Sequence, residues 1–275
     1  MKLMSFNING IRARIHQLEA IEALHAPDVL GLQEVKCADD AFPYEALSHL
    51  PYQFETFGQK GHYGVALASR SAPEAVQRGL PMEPDDAQRR MIRGTYSLAT
   101  GETLTVYNGY FPQGEARDHE TKFPYKADFY RNLLETLQRY HAPTELIAIM
   151  GDFNIAPVDA DIGITADAKA RWLRTGKTSF LPEEREWFAA LTDWGLVDSW
   201  RSRNPETTDR YSWFDYRSRG FEDSPKRGLR IDHILVTAPL NARIVDCGID
   251  YTVRGLEKPS DHCPVWITLD SAIGG

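Results

Sequence analysis

Oxygen-bearing side chains close or open an apolar run at five separated places in this chain: Asn7, Glu34, Asp152 with Asn154, Asp232, and Asp261 with His262. Carboxylate and amide oxygens brought near one another suit a hard divalent cation and the water it holds. The stretch Glu145–Pro157 shows the pattern most plainly, because five consecutive apolar residues run straight into Gly151-Asp152-Phe153-Asn154. Asp152 and Asn154 stand two apart, so they project to one side if the extended geometry continues past the strand. Gly-Asp-x-Asn is equally the composition of an ordinary turn, and alone it decides nothing.

The elements that must carry these residues alternate between strand and helix. Lys2–Ile8 reads as a strand running into amides. Ile11, Ile15, Leu18, Ile21 and Leu24 recur at three- and four-residue steps and predict a helix over Arg12–His25. Val29–Glu34 is a short buried strand that stops on a carboxylate, and this strand–helix–strand opening favours a parallel pair in an α/β layer. Further strands are expected at Val65–Ser69, Met91–Leu98 and Thr103–Tyr110, helices at Lys122–His141 and Pro182–Trp194, and closing strands at Leu229–Thr237 and Cys263–Leu269. Gly58–Gly64 is either a hairpin loop or a close approach of backbone to a phosphate, with Lys60 and His62 as contacts. Asn204–Leu229 has the composition of an ordered surface loop. A strand ending in an acid occurs in each half, at Glu34 and at Asp152. This weak echo suggests two similar layers packed face to face as a single domain over residues 1–275.

A chain of 275 residues, 42% hydrophobic and 11% aromatic, has ample material for an extensive core. No apolar run approaches the length of a bilayer span, and the amino terminus turns polar too soon for a signal peptide, so a soluble cytoplasmic protein is expected. Cys37, Cys247 and Cys263 are odd in number and widely spaced, which argues against a disulfide framework and against a zinc site. The net charge of −8 argues mildly against a protein that wraps nucleic acid non-specifically. It does not exclude a nuclease, because carboxylates gathered for a metal count as negative in that sum. Two basic runs, Lys169–Lys177 and Arg201–Arg230, are read as solvated faces or local anion-binding patches.

Taken in order, Ser5-Phe6-Asn7-Ile8-Asn9-Gly10, Leu32-Gln33-Glu34, Gly61-His62-Tyr63-Gly64, Asn108-Gly109-Tyr110-Phe111-Pro112-Gln113-Gly114, Gly151-Asp152-Phe153-Asn154, Trp172-Leu173-Arg174, Tyr211-Ser212-Trp213-Phe214-Asp215-Tyr216, Arg230-Ile231-Asp232 and Ser260-Asp261-His262 cover nearly the whole chain. In this order and spacing the sequence resembles the exonuclease III family of apurinic/apyrimidinic endonucleases. That family lies within the superfamily that includes pancreatic deoxyribonuclease and inositol-phosphate phosphatases. The resemblance implies an α/β fold, a four-layer α/β sandwich of two mixed sheets packed face to face with helices outside.

It also implies a division of labour. Glu34 would be the principal ligand of Mg²⁺ or Mn²⁺, with Asn7, Asp152, Asn154 and Asp261 near it. Asp152 would activate water or shuttle a proton, and Asn154 would orient that water. Asp232 and His262 would form a hydrogen-bonded pair against the scissile phosphate, with Tyr110 presenting a phenol or phenolate to the same group; which of Asp152 and His262 is the base stays open. Trp213 and Phe214 would wall the pocket for a flipped-out abasic sugar. Arg90, Gln113, Lys122 and Arg174 would contact DNA, mostly at phosphates. The implied partner is duplex DNA with abasic sites or blocked 3′ ends, engaged by a monomer away from any membrane. Two other readings stay open: a phosphatase acting on inositol or lipid phosphates, and a catalytically silent nucleic-acid-binding regulator. Asp223–Arg227 makes its loop slightly long for the family, and His233 has no role in this reading.

Overall fold

Alternation of side chains along extended strands decides where the polar residues arrive. In the computed structural model, which describes residues 1–274, β1 (Lys2–Asn7), β2 (Val29–Gln33), β3 (Gln53–Phe57) and β4 (Val65–Ser69) build one sheet. The chain then crosses to a second sheet for β5 (Ala75–Arg78), β6 (Met91–Ser97), β7 (Thr103–Tyr110), β8 (Leu146–Asp152), β9 (Leu196–Asp198) and β10 (Asp232–Thr237). It returns to the first sheet with β11 (Ile244–Ile249) and β12 (Val265–Leu269). The sheet orders are β11-β12-β1-β2-β4-β3 and β5-β6-β7-β8-β10-β9, each with a parallel pair inside an otherwise antiparallel sheet: β1 with β2, and β7 with β8.

The longer helices are α1 (Ile15–His25), with the single turn α2 (Tyr44–Leu47) after it, then α3 (Lys122–Tyr140), α4 (Ala166–Thr175) and α5 (Pro182–Trp194). Single turns α6 (Ala238–Asn241) and α7 (Tyr251–Arg254) complete the set. Leu3, Val29, Leu67, Val106, Met150, Ile234 and Ile267 fill the space between the sheets. Met4, Phe6, Leu30 and Leu32 face outward onto Leu18 and Ile21 of α1, while Ile147, Ile149 and Leu235 face outward onto Phe129 and Leu133 of α3 and Leu191 of α5. Helix, sheet, sheet and helix thus form the four layers that the motifs implied.

Period-two alternation carries Asn7 onto the inner face with Leu3, Tyr110 with Val106, Asp152 with Met150, and Asp232 with Ile234. All four lie at strand ends on the same side of the sandwich. Glu34 does not follow this rule, because alternation would send it outward with Leu32. Its backbone is left-handed (φ 50°) and ends β2 one residue early. Asn154 is likewise left-handed (φ 53°), so the expected continuation of extended geometry past Asp152 does not occur. Gly151 is required by packing: a Cβ there would lie 1.9 Å from the Gly109 carbonyl oxygen of β7.

The opening helix begins at Ile15, after a turn of 3-10 helix over Ile11–Ala13, and Gly58–Gly64 is a loop between β3 and β4. Among the described residues no helix is long and apolar enough to cross a membrane. The three cysteines are free, Cys37 and Cys263 in the core and Cys247 half-buried.

Candidate active site

Where the strand ends meet, Glu34, Tyr110, Gln113, Asp152, Asn154, Trp213, Asp261 and His262 line one cleft of about 240 Å³, together with Trp172 and Lys177. Asn7 is the hinge of its floor. Its Nδ2 donates to Glu34 Oε1 and to Asp152 Oδ2, each at 2.9 Å, and so ties a carboxylate of one sheet to a carboxylate of the other. Ser260 holds Asn7 from behind, its hydroxyl donating to the Asn7 carbonyl at 2.6 Å and accepting from the His262 amide.

On the far wall, His262 Nδ1 lies 2.9 and 3.0 Å from the two oxygens of Asp232. Asp232 is fixed in turn by Ser212, whose hydroxyl donates to it at 2.7 Å while accepting the amides of Ile231 and Asp232. The other ring nitrogen, Nε2, stands 3.7 Å from Asp152 Oδ2. Burial alone would favour the neutral imidazole, but Asp232, Asp152 and Asp261 more than offset it and lift His262 to about 10. Burial lifts the Asp152 carboxyl to about 7, with the repulsion of Asp232 and Glu34 adding to it against the attraction of His262. Burial, then the carboxylate of Glu34, push the Tyr110 phenol well above its ordinary value.

Asp261 sits at the rim, accepting from Asn9 Nδ2 at 2.9 Å and from the Trp213 indole N–H at 3.0 Å. Burial works against its charge, yet His262 and these two donors keep the carboxyl below its ordinary range. The wall bearing Trp213 is stitched by backbone bonds: Trp213 and Leu229 exchange two, Phe214 N donates to Asp261 O, and Cys263 N donates to Ser212 O. Lys36 Nζ lies 2.9 Å from Glu34 Oε2 and 2.5 Å from Asn9 Oδ1.

The donor set fits a hard divalent cation. One ligand atom each from Glu34, Asp152 and His262 lie within 4.8 Å of one another. A protonated His262 has no lone pair to give, which leaves the carboxylate oxygens of Glu34 and Asp152, with the amide oxygen of Asn154 and the carboxylate of Asp261 in the same cleft.

Of the remaining expected residues, Arg90 and Lys122 line, with Gln113, a neighbouring cleft of about 160 Å³ that shares Tyr110 with the first. Phe214 is fully buried against Tyr211, Phe221 and Tyr251, so it anchors the loop, and of the pair only Trp213 faces the cleft. Arg90, expected at a DNA phosphate, is 5% exposed and stacks on Tyr63 at 4.3 Å and Tyr110 at 4.7 Å. It donates to Gln88 Oε1 and to the Tyr110 carbonyl, and thereby holds Tyr110 from below. Arg174 is exposed on α4 and does not line the cleft; Lys177, from the same basic run, does, with its ammonium 3.7 Å over the Trp172 ring. Gln113 bonds Thr178 and the Glu115 amide, and Lys122 is exposed and paired with Glu115. Arg201 and Arg230, read as part of a solvated run, are instead paired with the buried Asp161.

Sequence reasoning missed Asn9, Lys36, Lys126, Ser212 and Ser260. Lys126 is wholly buried in α3, and its ammonium donates to the carbonyls of Asn154 and Gln113 and to Glu184 Oε1. A lysine on the apolar stripe of a helix is the one signal that could have pointed to it.

A family model described as endonuclease/exonuclease/phosphatase family matches residues 4–262, and the chain belongs to that family. Exodeoxyribonuclease III of Haemophilus influenzae is 57% identical over 266 residues, covering 97% of this chain and 98% of that protein. An AP endonuclease from Archaeoglobus fulgidus superimposes with a TM-score of 0.88 at 34% identity, over 98% of this chain and 99% of the other. A 3′ phosphatase from Neisseria, solved bound to a product DNA hairpin, superimposes with a TM-score of 0.87 at 40% identity, over 98% and 99% of the two chains.

Proposed function

We propose that this protein is a DNA-repair nuclease that uses Mg²⁺ or Mn²⁺ to hydrolyse duplex phosphodiesters on the 5′ side of abasic sites. It also removes nucleotides in the 3′→5′ direction and trims blocked 3′ ends. The observation that carries this reading is the meeting of Glu34, Asp152, Asp261 and the Asp232–His262 pair in one cleft. The activities named for the relatives, an exodeoxyribonuclease, an AP endonuclease and a 3′ phosphatase, all break a phosphoester bond of DNA. We read the two sheets as one catalytic unit, working as a cytoplasmic monomer.

Glu34 would be the principal ligand of the cation, with Asp152, Asn7, Asn154 and Asp261 near it. The bound cation supplies charge neutralisation at the phosphate and its leaving oxygen. Asp152 takes the proton of the attacking water, and Asn154 turns that water in line. His262 stays protonated at neutral pH and has no vacancy for that proton, so it binds the phosphate through Nε2 while Asp232 keeps Nδ1 occupied. Tyr110 donates to the same phosphate. Trp213 packs against the extruded sugar, and Trp172, Lys177 and Gln113 meet the strand beside it.

An end-labelled duplex with a single abasic analogue tests this reading. Wild type cuts it with Mg²⁺ and not with chelator, and Glu34→Ala or Asp152→Asn lowers the rate by about 10²–10⁴-fold. Undiminished incision by both variants, or efficient phosphate release from inositol polyphosphates by wild type, would defeat it.

A further inference from the structure

The apolar filling between the sheets is interrupted at one polar cluster. Ser5, Gln33 and Asn108, all fully buried, meet where β2 faces β7. Asn108 Nδ2 donates to the carbonyl oxygens of Leu32 at 3.0 Å and Ala66 at 2.9 Å, which are cross-strand partners in β2 and β4. Its Oδ1 accepts from Gln33 Nε2 at 2.5 Å, and that same nitrogen lies 3.0 Å from Ser5 Oγ and 3.2 Å from the Gly31 carbonyl. Two carbonyl acceptors on Nδ2 fix which way the Asn108 amide faces, and hence which way Gln33 must face. Gly31 makes the room: a Cβ there would lie 2.6 Å from Asn108 Oδ1.

An apolar pair of the same shape would fill this space without the cost of burying two amides. Gln33 Oε1 in fact finds no partner among the described residues, a net loss for a buried acceptor. What amides provide and leucines do not is direction. Apolar contact between two sheets rewards burial at any offset, whereas hydrogen bonds to named carbonyls select one. The position of the cluster matters for that reason. Gln33 immediately precedes Glu34, Asn108 is two residues ahead of Tyr110, and Met150, paired with Asn108, is two ahead of Asp152. The cleft draws Asn7 and Glu34 from one sheet and Tyr110 and Asp152 from the other, and such groups tolerate misplacement of only about 0.5 Å.

We propose that Asn108 and Gln33 are positioning residues that set the offset between the two sheets, and through it the separation of Glu34 from Asp152 and Tyr110. This rests on reading the cleft as a metal-dependent phosphodiester-hydrolysing centre. The test compares wild type with Asn108→Leu, Gln33→Leu and the double variant. Each single change takes one hydrogen-bond partner from the buried amide that remains, Asn108 Oδ1 or Gln33 Nε2, and lowers Tm; the double change removes both amides and restores it. The restored double variant nevertheless cuts abasic duplex with kcat about tenfold to a hundredfold lower and KM within twofold of wild type. It also binds Mn²⁺ about tenfold more weakly when substrate-free protein is titrated by electron paramagnetic resonance. Should the double variant not fold, Asn108→Ser, which shortens the side chain and breaks the bridge to Leu32 and Ala66, must show the same split.

A folded variant with wild-type kcat and Mn²⁺ affinity overturns the clamp, as does a loss that only tracks the unfolded fraction. A wild type that neither cuts abasic duplex nor binds Mn²⁺ removes the functional reading itself, and the clamp with it.

Discussion

Neighbouring residues of β10 face two buried charge clusters that are built on opposite terms. Outward, His233 joins a knot in which Arg230 reaches Asp161 at 2.7 and 3.0 Å and Asp198 at 2.7 Å, with Arg201 2.5 Å from Asp161. Two guanidiniums meet two carboxylates. His233 accepts from Arg230 at Nδ1 and presents Nε2 to the Ile155 carbonyl, as a neutral Nε2–H ring does. This is the role that the sequence withheld. Inward, Asp232 joins Glu34, Asp152 and Asp261 around one imidazolium and the Lys36 ammonium, leaving an excess of negative charge. A balanced knot holds strands together; an unbalanced one is held together by the fold and has room for a cation.

The largest separation between the two comes from neutralising one carboxylate in each. Asp152→Asn removes an uncompensated buried charge, so turnover falls by about 10³-fold while metal-free Tm at pH 8 stays level or rises. Asp161→Asn leaves Arg230 and Arg201 short of a partner and costs about 3–5 kcal/mol in urea unfolding, with turnover per folded molecule little changed. Equal destabilisation by both would erase the distinction.

Their pH responses should also run in opposite directions. Asp152 and His262 both have raised folded-state values, about 7 and about 10. In chelator their contribution is fully present below the unfolded values of 3.8 and 6.5, and is lost as pH rises through the folded ones. For Asp198, burial raises the carboxyl, but the Arg230 guanidinium outweighs it and holds it far below the ordinary range. Its contribution is present above pH 3.8 and disappears only on strong acidification. Melting curves of metal-free protein from pH 4 to 10 should therefore decline, more shallowly in Asp152→Asn, and Mg²⁺ should flatten the decline. A Tm that climbs with pH over this range would contradict the charge count.

The smallest effect sharpens the inner cluster alone. Arg90→Lys keeps the charge but loses the planar stack on Tyr63 and Tyr110, so kcat should fall a few-fold with KM for duplex unchanged. A rise in KM instead would return Arg90 to the DNA-contacting role first expected of it.

The sequence was most legible where one rule acted alone. The unbroken apolar run Leu146–Met150 and the β-branched and aromatic residues of Thr103–Tyr110 marked two strands, and the residues at their ends line the cleft. Alternation failed where the backbone leaves the regular regions, at Glu34 and Asn154, because a left-handed residue redirects a side chain without any change in the apolar pattern. Helix α4 was passed over because its ten residues hold only two large apolar side chains, Trp172 and Leu173; its signals were the Thr165 cap and Gly176. Phe214 was misplaced because composition cannot tell an aromatic that lines a pocket from one that anchors a loop, and the stacking of Arg90 on tyrosines was hidden for the same reason. Those distinctions are made by Phe221 in the same loop and by Tyr251 and Tyr63, farther off in sequence.

The stitching of Trp213 into its neighbours has a last consequence. A wall pinned by backbone hydrogen bonds to Leu229, Asp261 and Cys263, with Phe214 as its buried anchor, is a poor lid. Recognition here should work as a gauge of fixed width: the protein stays still and the nucleic acid does the bending. The work of unstacking would then be charged to each candidate site, and healthy duplex would be refused by its own stiffness.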